Sequence, residues 1–246
     1  MSDSPPTIGR VIRTALIVLP FGTILLGALS FVFYFNKQEK TLQRSIKYAS
    51  GLRKDLNEAD LKHYEAIVNE TASKPPADRA KALAAFIEST LGPENMGYEV
   101  RAIANPADPQ GAALALDVEL TGTKRPYDVV LVVTDYLGAD ASRATACLLG
   151  SAHSLTGSPL IRSVRFTALQ NISALKHYQT AAVSAQDRIT HVILLGNAAS
   201  AADADVTGPL HLERRGAVIL RPQLQGDLLP AAQSLLKQVN DLADRL

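Results

Sequence analysis

Two short apolar runs restrict the fold of this chain more than any other feature. Val129–Val133 contains no polar side chain, and His191–Leu195 is apolar after its first residue. Runs of this length, rich in β-branched residues, mark strands buried on both faces, as in a parallel sheet. Helical patterns separate them from their neighbours. A helix is expected from about Ser142 to Leu155, a strand over Val164–Leu169 and a helix over Ser173–Ala185. Upstream, Ala77-Asp78 opens a helix that Gly92-Pro93 closes, with Gly as the cap and Pro beyond it. Tyr98, Val100 and Ile103 alternate as in a strand, Ala113–Leu120 reads as a second strand, and Thr121–Pro126 as a turn. Downstream, Ala198–Pro209 reads as a small-residue loop, Ala217–Leu220 as a strand and Pro230–Leu246 as an amphipathic helix. Strands alternating with helices predict an α/β domain with a mainly parallel central sheet. Such sheets bind ligands beyond the carboxyl ends of their strands. Here those ends are Thr134–Asp140, Gln170–Asn171 and Gly196–Ser200.

The N-terminal part follows another rule. Residues 15–35 carry no charge, and about 20 apolar residues span a bilayer. The run exceeds the ~7–15 residues of a secretory signal core, and no small-residue cleavage site follows it. One transmembrane helix is therefore expected at residues 15–35, after a flank of residues 1–14. Residues 36–76 read as a helical stalk and a first packed helix, with Asn57 and Asp60 marking a helix start. The α/β domain is expected over residues 77–246. The bilayer is the partner implied for residues 15–35. A formal net charge of +1 gives no electrostatic ground for nucleic acid as a partner. Cys147 is the sole cysteine, so an internal disulfide is excluded. Its place among Ala144, Ala146 and Leu148 reads as burial. Asp140, Ser142 and His153 do not make a triad, because Ser142 and His153 stand about 16 Å apart on one helix.

Residues 83–171 resemble metallopeptidase family twenty-eight, the zinc aminopeptidases. The likeness runs through Met96-Gly97-Tyr98-Glu99-Val100, Leu120-Thr121-Gly122-Thr123-Lys124-Arg125-Pro126 and Asp128-Val129-Val130-Leu131-Val132. It continues in Gly138-Ala139-Asp140 at a helix start and ends in Val164-Arg165-Phe166-Thr167-Ala168. The resemblance implies a three-layer α/β/α zinc-exopeptidase-like domain. It also implies two zinc ions held by His, Asp and Glu, with a further Glu as general base.

Position by position, the implied ligands are missing. The first histidine position carries Asp135, followed by Tyr136, and Leu137 replaces the carboxylate that would orient that histidine. Asp140, at the bridging position, matches. The Glu-Glu pair is replaced by Gln170-Asn171, the next Asp by Ile193, and the last His falls near Pro209, two residues from His211. The expectation is a pseudoenzyme with no cofactor and no catalytic or metal residue. Asp135, Tyr136, Asp140, Ser142, Gln170 and Asn171 are expected to line a vestigial polar cleft, and Leu137, Ile172 and Ile193 to pack. The domain is expected to bind or scaffold a protein partner at the membrane. Two alternatives stand beside it: an active membrane-bound hydrolase with a non-standard site, and an unrelated anchored α/β interaction domain. Lys37, Lys40, Arg44, Lys47, Arg53 and Lys54 outnumber Arg10 and Arg13, so a strict positive-inside count places the domain in the cytoplasm. The resemblance favours an extracytoplasmic domain on a single-pass anchor, and that is the expectation retained.

Overall fold

The computed structural model describes residues 48, 51–106, 108, 111–210 and 216–244. The expected membrane helix at residues 15–35 lies outside them, as do the flank before it, most of the expected stalk, and His211. Among the described residues no helix is long and apolar enough to cross a membrane.

The described chain runs α1 (Glu58–Thr71), α2 (Pro76–Leu91), β1 (Arg101–Ile103), β2 (Ala115–Leu120), β3 (Arg125–Asp135) and α3 (Ala141–Leu155). It continues through β4 (Arg162–Leu169), α4 (Leu175–Ala182), β5 (Arg188–Leu195), α5 (Asp203–Leu210), β6 (Val218–Leu220) and α6 (Leu228–Ala243). The six strands form one sheet in the order β1-β2-β4-β3-β5-β6. β4, β3, β5 and β6 run parallel, and β2 runs against them. The sheet is therefore mixed, parallel where its strands are most deeply buried.

The apolar run at the centre explains the layering. Side chains alternate across a strand. Val130 and Val132 join the cluster under α1, α2, α3 and α6, while Val129, Leu131 and Val133 join the cluster under α4 and α5. A strand with two apolar faces needs a helical layer on each, which gives the three-layer α/β/α arrangement. α6 supplies Leu228, Ala232, Leu235, Val239 and Leu242 at helical spacing. Cys147 is fully buried in the first cluster, and burial pushes its thiol up to about 12.

The compact unit starts at Tyr48, so α1, the first packed helix expected from Asn57, belongs with the α/β core rather than before it. Leu61, Tyr64 and Val68 are buried in the main cluster. Asn57 caps the helix, its side chain accepting from the Asp60 amide at 2.8 Å. The segment before it is tied to the far end of α3. His153 Nε2 lies 3.2 Å from the Leu52 carbonyl and its Nδ1 3.4 Å from the Tyr64 hydroxyl, while Ser154 Oγ donates to the Lys54 carbonyl at 3.1 Å. His153 thus serves in a structural clasp. Burial, and then the charge of Lys54, push its pKa down.

The expected loop at Ala198–Pro209 is a correction. A 3-10 turn covers Gly196–Ser200, and α5 follows. Asp203 and Asp205 sit in the first turn of α5, where carboxylates complement the helix dipole. Val206 and Leu210 lie one turn apart and are buried, a spacing that small neighbours hide in the sequence.

Candidate functional site

The carboxyl ends of β3, β5 and β6 open on a cavity of about 610 Å³. Its lining comes from the start of α3 (Asp140, Arg143, Ala144), the turn after β5 (Gly196, Ala199, Ser200) and the segment from Arg221 to Gly226 after β6. This is where the topology of a parallel sheet places a ligand.

The lining carries two guanidinium groups and one carboxylate. Arg143 donates to the Gly226 carbonyl and holds the far wall to α3. Arg221 donates through Nε to the Ala199 carbonyl at 3.0 Å and through Nη2 to the Ala201 carbonyl at 3.1 Å, and it pairs with Asp203. Asp140 is exposed at the N-cap of α3 and makes no side-chain cap bond. Gly196 adopts φ +59°, and a Cβ there would meet that of Ala144 at 2.6 Å, so the turn after β5 requires glycine to approach α3.

The sequence-predicted cleft residues separate into three places. Asp140 lines the cavity, and Ser142, half-buried, stands beside it in the first turn of α3. Asp135 ends β3 but is buried and engaged. Its Oδ2 accepts from Asn197 Nδ2 at 3.0 Å and its Oδ1 from the Gly138 amide at 3.1 Å. Burial raises its pKa against those two bonds, and the Asp140 charge adds to the rise. A Cβ on Gly138 would fall 2.0 Å from Asp135 Oδ1, so the carboxylate and the glycine close the β3–α3 turn together. Tyr136 is a correction to the cleft set: it is 0% exposed, and its hydroxyl donates to the Ala113 carbonyl. It is a core residue anchored by its polar end. Gln170 and Asn171 follow β4, where Gln170 N donates to the Leu114 carbonyl at 2.8 Å and Asn171 accepts from Ser173. Neither lines the cavity.

The apolar residues at the implied ligand positions pack as expected. Ile193 is fully buried in the main cluster, and Leu137 and Ile172 are partly buried against the two clusters. Sequence reasoning missed Arg143, Arg221 and Asn197. Arg143 lay in view, three residues after Asp140, and the other two had no motif to flag them.

These donors do not fit a dizinc centre. Zinc needs several His, Cys or carboxylate ligands converging on one point. The cavity offers Asp140 and two permanent cations, and Asp135 is already taken up by Asn197 and Gly138. Among the described residues no group of three His, Cys, Asp or Glu side chains is placed to hold a metal.

No family model matches the chain, and no curated protein matches it. Among solved structures it is similar to a putative zinc-dependent exopeptidase from Bacteroides vulgatus, at 11% identity and a TM-score of 0.49, over 79% of this chain and 98% of that one. It is similar to an aminopeptidase from Aneurinibacillus sp. at 12% identity and a TM-score of 0.29, over 32% of this chain and 23% of that one. A glutaminyl cyclase from an Acidobacteriales bacterium matches at 12% identity and a TM-score of 0.39, over 74% and 78% of the two chains. The chain thus spans under a quarter of the Aneurinibacillus aminopeptidase.

Proposed function

We propose that this chain is a membrane-anchored, peptidase-like domain that binds a partner and does not hydrolyse it. The observation that carries the reading is the cavity at the strand ends. Its lining carries Arg143, Arg221 and one carboxylate, Asp140, while Asp135, at the implied first-histidine position, is spent on closing a turn. Guanidinium groups do not deprotonate in proteins. They supply neither a general base nor a metal ligand, and their charge opposes a dication in the same space. Hydrolysis by a metal-bound water needs an ion, an open coordination position and a base. What the cavity retains is a polar, ligand-sized space with directional donors, which suits recognition of a partner segment.

Anchoring rests on the uncharged run of residues 15–35, and the reading keeps the domain on the extracytoplasmic side. Alkaline carbonate should leave the full chain in the membrane pellet, and release into the supernatant would end the anchoring claim.

The experiment on catalysis uses the detergent-solubilised full chain with aminoacyl reporter substrates and added zinc. No turnover is expected. Zinc-dependent turnover that disappears in Asp140→Ala would overturn the reading and send the search for a further ligand to His211.

A further inference from the structure

A second polar cavity lies away from the strand ends, at the β1–β2 edge of the sheet. It measures about 450 Å³ and is lined by Glu99, Val100, Arg101, Asp117, Glu119 and Thr121. Three carboxylates and one guanidinium share it.

Asp117 is the unusual member. It is 1% exposed. Its Oδ1 accepts from Thr167 Oγ1 at 2.7 Å and from the Tyr178 hydroxyl at 3.1 Å. Its Oδ2 is buried and accepts no hydrogen bond. Buried carboxylate oxygens are ordinarily satisfied, and an orphan one costs free energy unless a partner arrives. The closest cation, Arg101, stands at 3.8 Å, too far for a hydrogen bond. Arg101 is about half exposed and donates instead to the Ala182 carbonyl at 2.9 Å. Arg165 is not available either. Its guanidinium is held by Glu119 and Asp187, each at 2.8 Å.

We infer that this cavity receives an organic cation, a primary ammonium or a guanidinium, which displaces Arg101 and donates to Asp117 Oδ2. The chemistry follows from what is fixed and what is loose. Thr167, Tyr178 and Arg165 are buried and held by Asp117, Glu119 and Asp187, and the excess of carboxylate in the walls favours a positive guest. Arg101 is a tethered stand-in on an edge strand, already poised near the oxygen that the guest would take. A metal ion suits the site less well, because a guanidinium shares the lining and Glu119 is committed to Arg165. Burial raises the Asp117 carboxyl, against the Thr167 bond and the Arg165 and Arg101 charges. An arriving cation favours the ionised form, so binding should tighten as pH rises through the range in which Asp117 titrates. The cation has two sources, a free amine or the Lys or Arg side chain of a partner protein. Both present the same group.

The test is calorimetric titration of the detergent-solubilised full chain with n-butylammonium, n-butylguanidinium, tetramethylammonium and Mg²⁺. The first two should bind saturably, and more tightly as pH rises. Tetramethylammonium, which has no N–H to donate, should not. Asp117→Asn keeps the shape and the Thr167 and Tyr178 partners, and should weaken butylammonium by about tenfold or more, the worth of one charged hydrogen bond. Arg101→Ala removes the competitor and should tighten it. A peptide with one lysine among alanines that binds more tightly than butylammonium points to a partner's side chain, and equal affinity points to a free amine. Binding unchanged in both Asp117→Asn and Arg101→Ala overturns the inference, as does binding of Mg²⁺ without either organic cation.

Discussion

Asp135 and Asp117 invite comparison, because the sequence resemblance singles out the first and the structure the second. Both are strand aspartates, both are buried, and burial raises the pKa of both. Asp135 has a donor at each oxygen, Gly138 N and Asn197 Nδ2. Asp117 has two donors at one oxygen and no hydrogen bond at the other. A buried acid is therefore a poor marker of a site by itself. The useful marker is the acceptor that the fold leaves unfilled. By that measure the position that sequence resemblance singled out is a closed structural joint, and the open one lies at the other side of the sheet.

The largest test of this contrast is Asp117→Ala. It removes the acceptor of both Thr167 and Tyr178, so stability should fall by about 2–4 kcal/mol, the cost of leaving two buried hydroxyls without a partner. Denaturant titration reads this, and a loss under about 1 kcal/mol would mean that the network is not buried as described.

Gly138→Ala probes the closed site by crowding it. The new Cβ would fall 2.0 Å from Asp135 Oδ1 and 2.7 Å from Asn197 Cβ. Overpacking of this kind costs up to about 3 kcal/mol. A neutral result would show that the β3–α3 turn has room to open.

Substituting each aspartate by asparagine sharpens the contrast with less disruption. In Asp135→Asn one oxygen becomes an NH₂ that must face either the Asn197 amide or Gly138 N, donor against donor, at a cost of about 1–2 kcal/mol. In Asp117→Asn the NH₂ replaces an oxygen that had no donor to lose, and stability should hold or rise slightly. Equal losses in the two variants would erase the distinction drawn here.

The smallest effect is a pH dependence from His153, another buried group closed by partners. Its pKa is lowered from 6.5, so between that lowered value and 6.5 the unfolded chain binds more protons than the folded one. Stability should therefore rise with pH across this window and level off above 6.5. Lys54 works with burial in this, and Asp60 works against it. The slope should be lost in His153→Gln, measured by thermal melts from pH 5 to 8.

Much of the fold was legible from period alone. Val129–Val133 and His191–Leu195 lie within β3 and β5, since an apolar run rich in β-branched residues has few other ways to be buried, and Val164–Leu169, where Arg165 and Thr167 alternate with apolar residues, lies within β4. The helices at Ser142–Leu155 and Pro230–Leu246 lie close to α3 and α6 for the complementary reason, a stripe at 3.6 spacing. The first strand was overextended: Tyr98 is buried before β1 begins at Arg101, because alternation over three residues does not separate a strand from an extended lead-in. The site was less legible. Asp140 is where the motif placed it, but Asn197 and Arg221 reach the strand ends from far along the chain. Three-dimensional convergence of that kind leaves no local spacing to read. The orphan oxygen of Asp117 is invisible to sequence altogether, since it is defined by a partner that is missing.

The clasp at the far end of α3 has a mechanical consequence. Leu52 and Lys54 are fastened to His153 and Ser154 by backbone carbonyls, and α3 extends about 22 Å from there to Asp140 and Arg143 at the cavity rim. A pull on the Leu52–Lys54 segment is borne by those two fastenings together and passed to the end of α3. The strand order need not rupture for such a pull to be felt at the rim. A displacement of one end of a stiff helix is felt at the other, so α3 joins the Leu52–Lys54 segment to the side of the cavity that carries Asp140 and Arg143.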